Sequence, residues 1–153
     1  FYFASYYLRF PVFYAKAWRT GDKDVSFYLK DNESKYKRII FDAKAGFVYT
    51  SLLFYLPFDP LEFQQTVKRD PDDNEGFSTV RSFGKYEFKD IDWGKDNQKG
   101  EKTLIITDAD HKPSQIPAFK TFYYPKRPVV ISLKEQIIQY PVEETAYVLV
   151  ETE

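Results

Sequence analysis

The sequence predicts a mixed α/β domain: a mixed β-sheet with two or three helices from the N-terminal half packed on it, and a strand-rich C-terminal half. Helical patterns dominate the first 67 or so residues, and strand patterns follow. A short apolar run stands between the first two helical patterns, as a buried strand does in an α/β unit. A chain of 153 residues, 43% of them hydrophobic, has the size of one domain with its own core.

The chain opens on an aromatic stretch, FYFASYYLRFPVFY, in which Pro11 interrupts any long helix. A helix is expected from about Ala15 to Lys30, although Gly21 weakens it. One stripe of this helix is apolar and is expected to face the core. Its members are Tyr14, Trp18, Val25 and Leu29.

One strand and two more helices are expected in the rest of the N-terminal half. Residues 39–41 form a short apolar run bounded by charged residues, which is typical of a strand buried on both faces. A largely buried helix is expected to start near Ala45. Asp59 followed by Pro60 then predicts the capped start of a short helix that continues to about Val67.

The remainder of the chain is predicted to be mainly strand. Residues 103–108 (TLIITD) are a continuous apolar run, and residues 77–83 alternate between two faces. Two stretches, 125–128 and 134–145, are expected to separate the last three strands. The predicted strands are residues 77–83, 85–93, 103–108, 118–124, 128–133 and 146–151.

Charge and composition exclude several kinds of site. Twenty-two basic and 23 acidic residues give a net charge of -1, which argues against a nucleic-acid groove. The lack of cysteine removes disulfides, thiolate metal sites and cysteine nucleophiles. The six glycines are scattered singly, so there is no glycine-rich loop for a phosphate. No cofactor is predicted.

Few residues offer catalytic chemistry. His111 is the only histidine, and it is expected to be an exposed loop residue; the alternative is pairing with Asp108 or Asp110 in an acid–base or metal role. The carboxylates of residues 70–75 lie in a turn-rich loop where they are expected to be solvated. Neither they nor residues 90–96 have the spacing of a calcium loop. No catalytic residue and no metal ligand is predicted.

Trp93 is the residue most suggestive of ligand binding. It is flanked by Asp92 and Asp96 at the end of a predicted strand. An aromatic ring in this setting could stack on a sugar while the carboxylates bond its hydroxyl groups. The alternative is that Trp93 closes the edge of the core beside a turn.

Four stretches, residues 6–30, 36–64, 83–96 and 103–125, carry a recognisable order of motifs. The order is an aromatic linker, a helix with W-x-x-G-x-K, a strand, an aromatic helix ending near Y-x-x-x-D-P, and G-K-Y-x-F-x-x-I-D-W. These positions are held by Trp18, Gly21, Lys23, Tyr55, Asp59, Pro60, Gly84, Lys85, Tyr86, Phe88, Ile91, Asp92 and Trp93. In this order they resemble the C-terminal portion of bacterial dolichyl-phosphate-mannose-protein mannosyltransferase-like enzymes, which are membrane glycosyltransferases of the GT-C type. The stretch after Pro128 is longer than in that pattern.

The resemblance implies a domain on the extracytoplasmic face of the membrane, belonging to an enzyme that transfers a sugar from a polyprenyl-phosphate carrier. The catalytic carboxylates of such enzymes lie in the membrane part, so no catalytic residue is carried over. The domain would have a structural or acceptor-positioning role. Its partners would be the transmembrane portion of the same polypeptide and a lipid-linked sugar or acceptor. The candidate binding residues are Trp93, Asp92, Asp96 and Tyr86.

The domain organisation follows from this reading. Residues 1–14 are expected to be an aromatic juxtamembrane or linker segment, and residues 15–153 a single soluble α/β domain. Tyrosine and tryptophan concentrate at the lipid–water interface, where the segment would fall if a transmembrane helix preceded it. The chain begins at Phe1 and contains no methionine, so we expect a processed chain or a piece of a longer polypeptide.

The alternative is a secreted subunit, processed to begin at Phe1, that self-assembles or binds carbohydrate. Its many tyrosines and phenylalanines would then form subunit contacts in a homo-oligomer or filament. Its hydrophobic C-terminal strands could pair edge to edge.

Overall fold

Seven strands form one mixed β-sheet. The computed structural model describes residues 2–43, 48–96, 100–133 and 136–152. In chain order the strands are β1 (Arg38–Asp42), β2 (Lys68–Arg69), β3 (Val80–Phe83), β4 (Tyr86–Lys89), β5 (Thr103–Thr107), β6 (Lys120–Tyr123), β7 (Arg127–Leu133), β8 (Gln136–Val142) and β9 (Thr145–Thr152). Across the main sheet their order is β2-β3-β4-β1-β5-β9-β6, and β7 and β8 form a separate two-stranded hairpin.

Helices occur in both halves of the chain. They are α1 (Tyr2–Ala4), a π-helical turn (Ser5–Arg9), α2 (Phe10–Phe13), α3 (Gly21–Asn32), a 3-10 turn (Glu33–Lys35), α4 (Val48–Tyr55), α5 (Pro60–Thr66) and α6 (Trp93–Asp96). The predicted mixed α/β class is therefore confirmed. In the part of the chain that the structure describes, no helix has the length and apolar character needed to cross a bilayer.

β1 lies at the centre of the sheet and is parallel to both of its neighbours. Ile40 lies opposite Glu87 of β4 on one side and opposite Ile105 of β5 on the other. β1 and β5 are buried on both faces, as parallel strands usually are. The strands predicted at residues 39–41 and 103–108 are confirmed. The outer strands pair antiparallel.

The larger apolar cluster joins the three longest helices to the sheet. Val25 of α3 and Leu52 of α4 are buried in it together with Phe41 of β1, and α5 adds Phe63. The Phe63 ring meets the ring of Phe83 edge-on at 5.2 Å. Each buried side chain of this size stabilises the fold by roughly 1.5–3 kcal/mol through removal from water.

A smaller apolar cluster covers the opposite face of the sheet. Ile40, Ile105 and Val150 form a row across β1, β5 and β9. No long helix contributes to this cluster among the described residues; Trp93 and Ile116, from the connections on either side of β5, pack against it instead. The connections of the chain thus lie on both faces of the sheet.

The first long helix begins at Gly21, so the predicted start near Ala15 is wrong. Residues 15–20 form turns, and Arg19 has a left-handed backbone with φ of 52°. A right-handed helix needs negative φ, so the helix cannot run through this residue. Gly21 is required at the start of α3, because a Cβ there would lie 2.7 Å from the Cβ of Ala146.

The later helix start also changes which side chains face the core. Val25 and Leu29 are fully buried, as predicted. Tyr14 and Trp18 precede the helix and are exposed, so their predicted place on the buried stripe is wrong. The 3.6-residue period relates side chains only within one continuous helix.

The other predictions of local structure have mixed outcomes. The short helix after Asp59 is confirmed, and the Asp59 carboxylate caps it by accepting a hydrogen bond of 2.8 Å from the Leu61 backbone N–H. The predicted start of α4 near Ala45 lies outside the described residues. The expectation that residues 134–145 only separate strands is wrong, since β8 lies there and pairs with β7.

Residues 2–14 contain helical turns despite Pro11. The π-helical turn ends just before Phe10, and this wider turn accommodates a proline that lacks the N–H of a regular helix. Rings four residues apart stack along one side: Tyr6 with Phe10 at 5.4 Å and Phe10 with Tyr14 at 4.6 Å. We refer to residues 2–14 as the aromatic segment.

The ion pair between β1 and β4 predicts how stability depends on pH. Arg38 donates two hydrogen bonds to Glu87, of 2.9 Å from Nε and 2.7 Å from Nη2. The hydrogen bonding by Arg38 lowers the pKa of Glu87 below its usual range, outweighing the opposite effect of burial, and the charge of Arg38 adds to it. Such a carboxylate stabilises the fold above its unfolded pKa of about 4.3 and loses this contribution as the pH falls through the folded value.

We therefore expect Glu87→Gln to lower the free energy of unfolding by about 0.5–1 kcal/mol near neutral pH, as for a partly exposed pair. The difference from the wild type should shrink as the pH falls towards about 3. Urea unfolding at a series of pH values measures it. Glu75→Gln, in an exposed turn, is the control and should follow the wild type. A difference that grows on acidification would contradict the prediction.

Candidate functional site

The carboxyl ends of the parallel strands form the edge of the sheet where a ligand site is expected. In open α/β sheets, ligands bind outside the carboxyl ends of the strands, at the point where connections diverge to the two faces. Asp42 ends β1 and Thr107 ends β5. β1 lies between β4 and β5, which follow it in the chain on opposite sides.

A cleft of about 460 Å³ opens at this edge. The turn before α3, the connection after β5 and the segments around the start of β9 line it, and we call it the carboxyl-edge cleft. Its lining residues are Lys16, Arg19, Asp108, Ala109, Asp110, Tyr124, Glu143, Glu144, Thr145, Ala146 and Tyr147. The volume falls within the range of small-molecule sites, roughly 300–1,000 Å³.

A buried carboxylate supports one wall of the carboxyl-edge cleft. Asp22 is 2% exposed. Its Oδ2 accepts hydrogen bonds from Arg19 Nε at 2.9 Å and Ser51 Oγ at 2.8 Å. Its Oδ1 accepts one of 2.6 Å from the Tyr147 hydroxyl, which in turn accepts one of 3.0 Å from Arg19 Nη2. This network joins α3, α4 and β9, so the wall is held from three elements.

The phenols of the cleft stay protonated near neutral pH. Burial, followed by the negative charge of Asp22, raises the pKa of Tyr124 and, more strongly, that of Tyr147. Both hydroxyl groups therefore serve as neutral hydrogen-bonding groups rather than as bases. Burial alone would lower the pKa of Arg19, but the hydrogen bond to Asp22 and the electrostatic effects of Tyr147 and Asp22 together outweigh it and raise this pKa, so Arg19 stays a cation.

His111 lies between two carboxylates beside the cleft. Its Nδ1 is 3.0 Å from Asp108 Oδ1 and 3.2 Å from Asp42 Oδ2, without the alignment of a hydrogen bond to either. Thr107 Oγ1 donates a hydrogen bond of 2.9 Å to Asp42 Oδ2. His111 lies in a turn, as expected, but the expectation of a solvated side chain is wrong, because Nδ1 is buried between the two carboxylates and the imidazole is only 35% exposed. Of the two partners considered, the structure selects Asp108, and it adds Asp42.

Unusual local conformations are concentrated at this edge. Among the described residues, Arg19 is the one non-glycine with positive φ. In the same part of the chain, the buried side-chain atoms without a hydrogen bond are Thr20 Oγ1 and His111 Nδ1. Such strain and unsatisfied polar groups occur preferentially at functional sites. No group of three or more histidine or acidic side chains among the described residues is arranged to hold a metal ion.

The predicted binding residues do not form one surface. Trp93 packs against the apolar cluster below it and donates a hydrogen bond of 3.1 Å from Nε1 to the backbone oxygen of His111. This is the arrangement of the alternative, in which Trp93 closes the edge of the core. Asp92 is exposed beside it, and its backbone N–H donates a hydrogen bond of 3.0 Å to Asp96.

Asp96 and Tyr86 are engaged within the fold. Asp96 is buried and forms a salt bridge of 2.5 Å with Lys89. Tyr86 is 1% exposed on the other face of the sheet, where its hydroxyl bonds Glu33. Burial and this hydrogen bond raise its pKa far above the usual value. Tyr86 therefore lies apart from the other three predicted residues.

Of the residues that line the cleft, Asp108 and Asp110 were named from the sequence, and only as partners for His111; the others were not singled out. Asp42, beside the cleft, was missed although its position is informative, since it directly follows a strand predicted to be buried on both faces and such a position marks the carboxyl edge. Asp22 and Arg19 gave no such signal, because a charged pair three residues apart is usually a solvated pair on a helix surface. Their partner Tyr147 is 125 residues from Asp22 in the chain.

No family model matches this chain, and neither a curated protein nor a solved structure matches it. The likeness to the mannosyltransferase-like enzymes therefore stays a resemblance in the order of motifs. The fold and the carboxyl-edge cleft are described from the geometry of this chain alone.

The Asp22 network predicts unequal effects of two conservative substitutions. Asp22→Asn removes the charge opposite a half-buried Arg19 and should lower the free energy of unfolding by about 2–4 kcal/mol. Tyr147→Phe removes one hydroxyl and should cost about 1 kcal/mol. Urea unfolding measures both. Asp24→Asn, exposed in the same helical turn, should change little; an equal effect of Asp22→Asn and Asp24→Asn would refute the role of the network.

Proposed function

We propose that this chain is the extracytoplasmic globular domain of a membrane glycosyltransferase that transfers a sugar from a polyprenyl-phosphate carrier. Its role in that enzyme is structural or acceptor-positioning, and the sugar transfer takes place in the membrane part. The observation that carries the proposal is the exposed aromatic segment, which precedes the folded domain. The ordered motifs of the sequence support the glycosyltransferase class.

The aromatic segment has the composition and exposure of a membrane-interface element. Tyr2, Phe3, Tyr7 and Leu8 are 68–75% exposed. Single exposed apolar residues are common on soluble proteins, but a contiguous group usually marks an interaction surface. Tyrosine suits the lipid–water interface because it joins an apolar ring to a polar hydroxyl.

The base of the aromatic segment lies beside the folded domain. Val12 and Phe13 line a recess together with Tyr124 and Pro125. Two residues after the segment, Lys16 forms a salt bridge of 2.5 Å with Glu144. The segment therefore leaves the domain at the corner that also carries the carboxyl-edge cleft, which would bring the cleft close to the membrane surface.

Several of the motif residues shared with the resembled enzymes support the fold. Gly21 allows α3 to approach Ala146, and Asp59 caps α5. Gly84 has φ of 51° in the turn between β3 and β4, and Trp93 packs on the core. Motifs that preserve a scaffold fit a domain whose partner carries out the chemistry.

Binding to lipid vesicles tests the membrane half of the proposal. The variant Tyr2→Ser, Phe3→Ser, Tyr7→Ser and Leu8→Ser removes apolar contact area and should weaken co-sedimentation with anionic vesicles by about tenfold or more. The matched control replaces exposed apolar residues elsewhere, Phe54→Ser, Leu61→Ser and Phe77→Ser, and should bind like the wild type. Equal loss in both would contradict a role of the segment.

Sedimentation velocity without vesicles distinguishes a membrane-binding domain from the alternative, a self-assembling subunit. A wild-type chain that associates, and whose association is abolished by the substitutions in the aromatic segment, would favour subunit contacts over lipid contacts. A monomer that binds vesicles supports the membrane reading.

The reading frame upstream of Phe1 tests the glycosyltransferase half. We expect it to encode several hydrophobic spans of about 20 residues, because the resembled enzymes carry their catalytic residues in a membrane part. Sequencing the native gene and its transcript gives the answer. A reading frame without such spans would refute the glycosyltransferase assignment, whatever the outcome of the vesicle experiment.

A further inference from the structure

We infer that the carboxyl-edge cleft binds a small organic cation that carries a primary ammonium group. This goes beyond the proposed function and does not depend on it, since it rests on the shape and chemistry of the cleft alone. The relevant observations are the cavity, the pairing of its charges, an ammonium group already held there, and two phenols in its wall.

The cleft is a preformed cavity of ligand size. It measures about 460 Å³ and lies at the edge of the sheet where α/β proteins bind ligands. One wall is held in place by the hydrogen bonds among Arg19, Asp22 and Tyr147. A wall that is already ordered reduces the entropy that a ligand loses on binding.

The charges that line the cleft disfavour an anion. Lys16 is paired with Glu144 at 2.5 Å, and Arg19 is paired with the buried Asp22 at 2.9 Å. These are the two cations among the described lining residues, and both are engaged. Three further carboxylates line the cleft, those of Asp108, Asp110 and Glu143. Asp108 lies 3.0 Å from His111 Nδ1, and Glu143 is paired with the exposed Lys126 at 3.2 Å. The charged lining residues are two cations and four carboxylates, and this excess of negative charge favours a cation over a phosphate or carboxylate ligand.

The cleft already holds an ammonium group of the chain itself. Lys16 Nζ contacts Glu144 Oε1, while the lysine side chain remains 70% exposed. An exposed ion pair of this kind contributes little free energy, so an external ammonium group can compete with it or bind beside it. A compact ammonium with three donors suits carboxylates approached from several directions.

Two neutral phenols lie in the wall of the cleft. Tyr124 and Tyr147 both stay protonated. The Tyr147 hydroxyl already donates to Asp22 and accepts from Arg19, so Tyr124 is the phenol that we assign to the ligand. A phenol oxygen accepts a hydrogen bond from an ammonium, and an aromatic ring attracts a cation above its face. Carboxylates beside tyrosines therefore favour an organic cation over a neutral molecule of the same shape.

Three probes with the same four-carbon skeleton separate charge from shape. Amide resonances of isotope-labelled chain are followed by NMR during titration with 1,4-diaminobutane, 1,4-butanediol or succinate at constant ionic strength. We expect saturable shifts at Ala109 and Ala146, which line the cleft, with the diamine. The diol should bind about tenfold more weakly, and succinate should produce no saturable shift. Equal binding of diol and diamine, binding of succinate, or no saturation by the diamine would each overturn the inference.

Charge-neutral variants locate the binding site. Asp110→Asn and Glu143→Gln change exposed lining residues and should each weaken diamine binding about threefold, the effect of one exposed ion pair. Asp72→Asn, in the exposed loop before β3, carries the same charge change and should leave binding unaltered. Unfolding curves check that all three variants fold like the wild type. An equal effect of Asp72→Asn would show non-specific attraction and would refute the cleft as the site.

Discussion

The parallel pairing of β1 with both β4 and β5 sets the layout of the sheet, the core on each face and the polar edge. β1 has a neighbouring strand on each side, and the connections between these strands cover both faces of the sheet. β1 is therefore removed from water on both faces. The aromatic core under α3, α4 and α5 covers one face, and the smaller cluster closed by Trp93 covers the other. The same pairing places Asp42 at the end of β1 beside Thr107 at the end of β5, where their side chains bond. The polar edge is thus a consequence of the strand order.

Asp22 fixes the corner of the domain where the aromatic segment and the carboxyl-edge cleft meet. It binds side chains from the turn before α3, from α4 and from β9, and so fixes the wall of the carboxyl-edge cleft. The aromatic segment leaves the domain at the same corner, against Tyr124 and Pro125. A membrane-facing segment and a ligand cleft that share a corner would let one surface of the domain both contact lipid and hold a ligand. This proximity links the two proposals in space, although each stands on its own residues.

The predictions from the sequence are confirmed where a local pattern decides the structure. The apolar run at residues 39–41 avoids water only when the strand is buried on both faces. Asp59 and Pro60 start a helix through contacts only a few residues away in the chain. The predictions failed where a distant contact decides the structure. α3 starts only at Gly21, after the left-handed Arg19, and the backbone at Gly21 packs closely on Ala146, 125 residues further along the chain. His111 is held between carboxylates because β1 and β5 are neighbours, which the spacing of one histidine cannot reveal.

The class of fold, the buried central strands and the aromatic character of the first residues can be read from the sequence, because periodicity and composition are local properties. The sequence also brought Trp93 to attention as a candidate, and the packing of this ring on the core then came from the sheet below it. The carboxyl-edge cleft becomes visible only in the folded chain, since its walls come from residues 16, 19, 108–110, 124 and 143–147. A site assembled from four separated segments has no pattern along the chain, because the interactions that join them exist only once the sheet has formed.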